Sequence, residues 1–116
     1  PVARHAPRCT GPDPLATAAT ATPAVGWGRD ARRFVPDGGV TAASLSGLEL
    51  KWAYVFPNAK RARSQPAIAM GTVFVGGEDG RVMALDLKTG CERWAFEASA
   101  EVRTGIVLAH GPDGAR

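Results

Sequence analysis

The sequence predicts an all-β fold, a partial array of short-stranded sheets that needs further sheets to close. Three observations predict it. Short apolar runs alternate with period two between turns rich in Gly, Asp and Pro. One block of motifs recurs at a spacing of 40 to 42 residues. Each block, taken alone, leaves two strand edges and two apolar faces uncovered, which a finished domain does not do.

The clearest block is residues 71–96, GTVFVGGEDGRVMALDLKTGCERWAF. Residues 72–76 alternate around Val73 and Val75. Residues 77–80, Gly-Glu-Asp-Gly, read as a turn, since Asp bonds its own backbone and Gly follows the chain reversal. Residues 81–87 are a second β-branched and apolar run, and residues 86–90 a second hairpin turn, with Gly90 suited to the left-handed position. Residues 92–96 form a third strand carrying Trp94.

Upstream, residues 1–25 are rich in Pro, Ala and Thr without periodicity and read as an irregular arm. Residues 26–116 form the second division, a partial propeller by the repeat described next. Ordered structure is expected from Trp27-Gly28-Arg29-Asp30, through the short extended piece at Arg33-Phe34-Val35-Pro36. Residues 41–45 suit one helical turn with Thr41 as its N-cap. Residues 48–56, LELKWAYVF, place Leu48, Leu50, Trp52, Tyr54 and Phe56 on one face and predict a strand. Pro57-Asn58-Ala59 turns the chain, a polar stretch leads to a strand at 66–70, and a last strand is expected at 102–109.

The repeat links these pieces. Trp52-Ala53-Tyr54 recurs as Trp94-Ala95-Phe96, Arg63-Ser64 as Arg103-Thr104, and residues 66–71 as 106–111. A period near 40 with four strands per unit is the signature of a β-propeller, in which each blade buries its faces only against its neighbours. Typically about four to eight blades close the ring. The chain is therefore expected to hold one complete blade plus strands of two neighbours, as a fragment of a longer propeller. Expressed alone, residues 1–116 are expected to fold poorly or aggregate. A cooperative thermal transition of the monomeric chain would contradict that.

Composition narrows the function classes. No run approaches ~18 consecutive apolar residues, so no membrane-spanning helix is expected. The chain starts at Pro1 without a basic n-region and apolar core, so any signal peptide is expected to lie outside it. The net charge of +3 suits a solvated surface, and the one tight basic group in the first half, Arg29, Arg32 and Arg33, is interrupted by Asp30, which gives little support for a nucleic-acid surface. The two cysteines, Cys9 and Cys91, match neither CxxC nor CxxCH, which leaves zinc and covalent haem without a motif. They form a disulfide in an oxidising compartment or stay as two thiols; spacing alone does not decide.

Residues 73–76, Asp79-Gly80-Arg81-Val82, Ala84-Leu85-Asp86, Thr89-Gly90 and Trp94 resemble the quinoprotein (PQQ-type) β-propeller repeat. The resemblance implies that Trp52 and Trp94 stack between blades on a neighbouring Gly peptide, and that Asp86, Thr89 and Gly90 fix the hairpin. Trp27–Asp30, Arg33-Phe34, Leu50-Lys51-Trp52, residues 61–66, Thr89-Gly90-Cys91 and Val102-Arg103-Thr104 are similar to PQQ-dependent alcohol dehydrogenases, most closely the polyvinyl-alcohol dehydrogenases. This implies an eight-bladed periplasmic parent that oxidises alcohols with pyrroloquinoline quinone (PQQ) and passes electrons to a cytochrome c. Calcium ligands and the catalytic base are expected in blades outside this chain, so no catalytic or metal residue is assigned in it.

PQQ is a flat tricarboxylate with an electrophilic carbonyl, and guanidinium groups suit both features. Arg63, Ser64 and Gln65, and Arg103 and Thr104, open the two predicted inner strands at equivalent repeat positions and are the candidate cofactor contacts. Two departures stand out. Residues 99–102 lack the vicinal cysteine pair of many such dehydrogenases, and Arg63 stands where they carry Glu. Both favour the polymer-alcohol branch, or a branch without PQQ. The alternative function is a non-catalytic propeller scaffold, as in outer-membrane protein assembly; a propeller sensor or sugar-binding module is a third. Fold alone does not separate them. Channel carboxylates and a CxxCH segment elsewhere in the reading frame would mark the enzyme.

Overall fold

In the computed structural model, the structure describes residues 6–12, 38–57, 59–108, 110–111 and 114–115. Its centre is a four-stranded antiparallel meander of β1 (Ala67–Ala69), β2 (Thr72–Gly76), β3 (Arg81–Asp86) and β4 (Glu92–Glu97), paired in chain order. A separate short pair joins β5 (His110–Gly111) to β6 (Gly114–Ala115). The turns fall where the sequence placed Gly and Asp. β1 is shorter than the expected 66–70 run, because Pro66 has no N–H to give and Met70 enters the turn with φ 49°.

The sheet buries both faces. On one, Ala67, Ala69, Phe74 and Ala84 pack with Trp94, Ile106 and Leu108. On the other, Val75, Met83 and Leu85 pack with Trp52, Tyr54 and Phe56. β3 is covered on both sides, and Met83, Ala84 and Leu85 are each no more than 1% exposed. That explains its near-continuous apolar run where a half-buried strand would alternate.

Two expected strands are absent as strands. Residues 48–56 and 102–108 belong to no ladder. Their alternation nevertheless holds over 52–56 and 106–108: Trp52, Tyr54 and Phe56 turn toward the sheet while Val55 faces out, and Ile106 and Leu108 turn inward while Val107 is 86% exposed. Side-chain period follows from an extended backbone, whereas strand status needs a partner strand. Leu48 and Leu50, expected on the buried face, are exposed. The result is an open all-β blade with one extended segment against each face, a partial propeller. The expected turn at 41–45 is a 3₁₀ helix, Ala42–Gly47, and Thr41 caps it: its Oγ1 accepts from Ser44 N while Ser44 Oγ accepts from Thr41 N. The lead-in residues Trp27–Asp30, Arg33 and Phe34 lie outside the described residues, as do Asn58 and Ala109.

Cys9 and Cys91 form a disulfide, with their Cα atoms 5.1 Å apart. It fixes an arm residue to the outer strand. Arg8 makes a parallel bridge to Glu92, Cys9 N donates to Glu92 O at 2.9 Å, and Glu92 N donates to Pro7 O at 2.8 Å. The start of the β4 edge is thus paired.

The β3–β4 turn is built on Asp86. Its Oδ1 accepts from Lys88 N, Thr89 N and Thr89 Oγ1 at 2.8 to 3.0 Å, and its Oδ2 pairs with Arg93. The register shifts between Ala84 and Leu85, a bulge that leaves Arg93 out of the pairing and free to reach back to Asp86. The Thr89 hydrogen bonds, supported by the Lys88 amide and the Arg93 charge, hold the Asp86 carboxyl below its ordinary value of 3.8. A depressed folded-state pKa means that the stabilisation is fully present above the unfolded carboxylate range and is lost as pH falls through the lower folded value. Acidification from about pH 5 to about pH 2 should therefore lower the thermal midpoint of the wild-type protein more than that of Asp86→Asn, measured by circular dichroism. Parallel pH profiles would contradict this role.

Candidate functional site

The meander sets which residues share an end. β1 leaves the end at which Arg63–Gln65 arrive; β2 returns to it, and β4 finishes there. The 77–80 turn and the 98–104 connector are consequently neighbours. Ala98 N donates to Gly80 O at 2.8 Å, and Val102 N donates to Gly77 O at 3.0 Å. All five candidate cofactor residues lie at this end.

The two segments carrying them meet. Ser64 is buried, its Oγ donates to Thr104 O at 2.9 Å, and the same oxygen accepts from Gly76 N at 3.0 Å. Gln65 lies beside Gly105, where an added Cβ would come 3.4 Å from Gln65 Cβ. Arg63, Gln65, Arg103 and Thr104 are exposed. The Arg103 guanidinium pairs with Glu101, and its side chain is 54% exposed. Sequence reasoning did not find Glu101 as a partner; an acid two residues from an Arg in a connector gives no pattern to read. Nor did it find Gly76 as a contact: Val102 Cγ1 lies 2.5 Å from where a Cβ would stand, so only glycine admits the connector.

Glu78 and Asp79, in the turn that the sequence marks, act on the backbone. Glu78 Oε2 accepts from Lys60 N and Arg61 N at 2.9 and 3.3 Å, and Asp79 Oδ1 accepts from Arg81 N at 3.1 Å. With Pro57, Ala59, Lys60 and Glu101 they line a cleft of about 380 Å³. Among the described residues no group of three or more His, Cys, Asp or Glu is placed to hold a metal ion.

A second polar cluster lies on the Met83 face and was not visible in the sequence. Arg81 Nη2 pairs with Glu92 at 3.0 Å, with Glu92 2% exposed, and Glu92 also meets Arg8 at 3.4 Å. Burial raises the Tyr54 hydroxyl above its ordinary 10.0, opposed by the nearby Arg81 charge. This cluster joins arm, preceding segment and blade, and its chemistry is that of a buried ion pair.

Trp52 docks on the hairpin turn of the blade. Its ring lies on the Gly90 peptide, where an added Cβ would come 2.7 Å from the ring, and its Nε1 donates to Leu87 O at 3.0 Å. That is the stacking implied by the quinoprotein repeat. The family model for the PQQ glucose/ethanol/alcohol dehydrogenase β-propeller domain matches residues 23–110. The chain belongs to this PQQ β-propeller family. A polyvinylalcohol dehydrogenase of Pseudomonas sp. is 35% identical over 94% of this chain, and one of Sphingopyxis sp. (strain 113P3) is 32% identical over 95%. A quinoprotein ethanol dehydrogenase of Pseudomonas putida is 34% identical over 61% of the chain. The PQQ-family chain spans 17% of the length of the first two relatives and 12% of the third. No solved structure matches it. Among the described residues no helix is long and apolar enough to cross a membrane.

The candidate donors fit the chemistry of PQQ. Two guanidinium groups, a side-chain amide and a hydroxyl are exposed at the end of the blade where β1 begins. Planar, always-charged guanidinium groups match planar carboxylates.

Proposed function

We propose that the chain supplies one blade and the flanking strands of a PQQ-dependent alcohol dehydrogenase that acts on polyvinyl-alcohol-like substrates. The observation that carries this reading is the joining of residues 63–65 to 103–105 at one end of a PQQ-family blade, with both arginines exposed. The activity named for the two polyvinylalcohol dehydrogenases that the chain matches supports it, and residues 1–25 then form an arm ahead of the propeller.

Arg103 and Arg63 bind cofactor carboxylates, and Gln65 and Thr104 add neutral donors. Glu101 holds the Arg103 guanidinium at the site before the cofactor arrives. When bound, PQQ supplies an electrophilic quinone that accepts two electrons from the alcohol. The base that removes the alcohol proton, and any calcium ligands, belong to other blades of an eight-bladed ring. A cytochrome c is the proposed electron acceptor and the periplasm the proposed location, where the Cys9–Cys91 disulfide is stable.

Reconstituting the full-length protein with PQQ and Ca²⁺ should give dye-linked oxidation of secondary or polymeric alcohols. Absence of turnover with every alcohol class in protein shown to be folded would remove the dehydrogenase reading.

A further inference from the structure

Arg103 is exposed, yet its backbone is pinned on both sides. Before it, Val102 N donates to Gly77 O at 3.0 Å, and the Val102 side chain fills the space left by the missing Cβ of Gly76. After it, Thr104 O accepts from Ser64 Oγ at 2.9 Å. The second pin reaches across 40 residues, from the segment that opens the inner strand of this blade to the segment that follows its outer strand. Ser64 is itself held, because its Oγ accepts from the buried amide of Gly76 at 3.0 Å. A buried hydroxyl used as donor and acceptor at once has little rotational freedom left.

We infer that Ser64 is a positioning residue: its hydroxyl fixes the backbone around Arg103, so that the guanidinium is presented to a cofactor carboxylate in one geometry. This rests on the PQQ reading above and changes the part Ser64 plays in it. The donor of Ser64 is spent on a carbonyl, so Ser64 acts on the cofactor through Arg103. Glu101 restrains the guanidinium itself, while Ser64 restrains the chain that carries it. A long side chain on a loosened backbone spreads over many positions, and binding through it must then order those positions.

The test is a double-mutant cycle in the full-length protein, with PQQ affinity read by tryptophan fluorescence and exchange of the Gly76 amide read by hydrogen–deuterium exchange without cofactor. Ser64→Ala should speed exchange at Gly76 and weaken PQQ binding about tenfold, while in an Arg103→Ala background it should change affinity by less than about twofold. Ser64→Cys keeps a donor and acceptor at the site, on a somewhat larger atom and with weaker hydrogen bonds, so it should shift both readouts in the same direction by less, and it serves if Ser64→Ala does not fold. If Arg103→Ala weakens binding but neither Ser64 variant does, the positioning role is wrong and the PQQ reading stands. Equal effects of Ser64→Ala with and without Arg103 would also overturn it, since Ser64 would then not act through Arg103. If Arg103→Ala leaves affinity unchanged, the cofactor assignment of Arg103 fails and the positioning role fails with it.

Discussion

Replacing both Cys9 and Cys91 by Ser should destabilise the full-length protein by about 4 kcal/mol, the largest single effect expected in this blade. The bridge closes a loop with a sequence separation of 82, and a loop of that size gains much conformational freedom in the unfolded chain once the bond is gone. The folded side loses as well. The backbone bonds of Pro7 and Cys9 to Glu92 are then held by an untethered arm, and the edge of β4 opens. Urea unfolding followed by tryptophan fluorescence measures the change. A difference below about 1 kcal/mol would mean that the arm does not hold the blade.

Trp52→Ala should cost about 3 kcal/mol, the lower part of the range for truncating a large aromatic, because Trp52 is only half-buried. The ring does two things at once: it covers the Gly90 peptide, and its N–H satisfies the Leu87 carbonyl at 3.0 Å. Two further variants separate them. Trp52→Phe keeps a ring over Gly90 but loses the hydrogen bond and should cost about 1 kcal/mol. Gly90→Ala leaves Trp52 intact but places a methyl 2.7 Å from the ring, at a backbone φ of +73° that alanine adopts poorly. It should cost about 1 to 3 kcal/mol. Chemical denaturation of the three variants gives the order Ala, then Gly90→Ala, then Phe. Equal stability of wild type and Trp52→Ala would show that the preceding segment does not dock on this blade.

The sequence made the blade legible where local chemistry decides. The Gly77–Gly80 and Asp86–Gly90 turns mark three of the four strands to within a residue, because Gly and Asp act on their own backbone. The period of 40 residues puts Ser64 and Thr104 at equivalent positions, and the fold joins them by a hydrogen bond. Partnership was not legible. Residues 48–56 and 102–108 alternate as strands do, but a ladder depends on a second chain segment that alternation does not reveal. Cys9 and Cys91 pair because the arm crosses the β4 edge, a matter of tertiary path. Arg81 and Glu92 stand in separate strand runs with no pairing pattern between them, and the fold brings them together under the preceding segment. At the candidate site, residue types suggested the chemistry of Arg63 and Arg103, while the two hydrogen bonds of Ser64 needed the fold.

In the proposed function this end of the blade binds PQQ through Arg103. Titrating the purified full-length apoprotein with PQQ tests it most directly. The prediction is saturable binding in the wild type, weakened about 10- to 100-fold in Arg103→Ala by loss of a charge-assisted hydrogen-bonded pair. No saturable binding by the intact protein, or equal affinity in the two proteins, would contradict the claim.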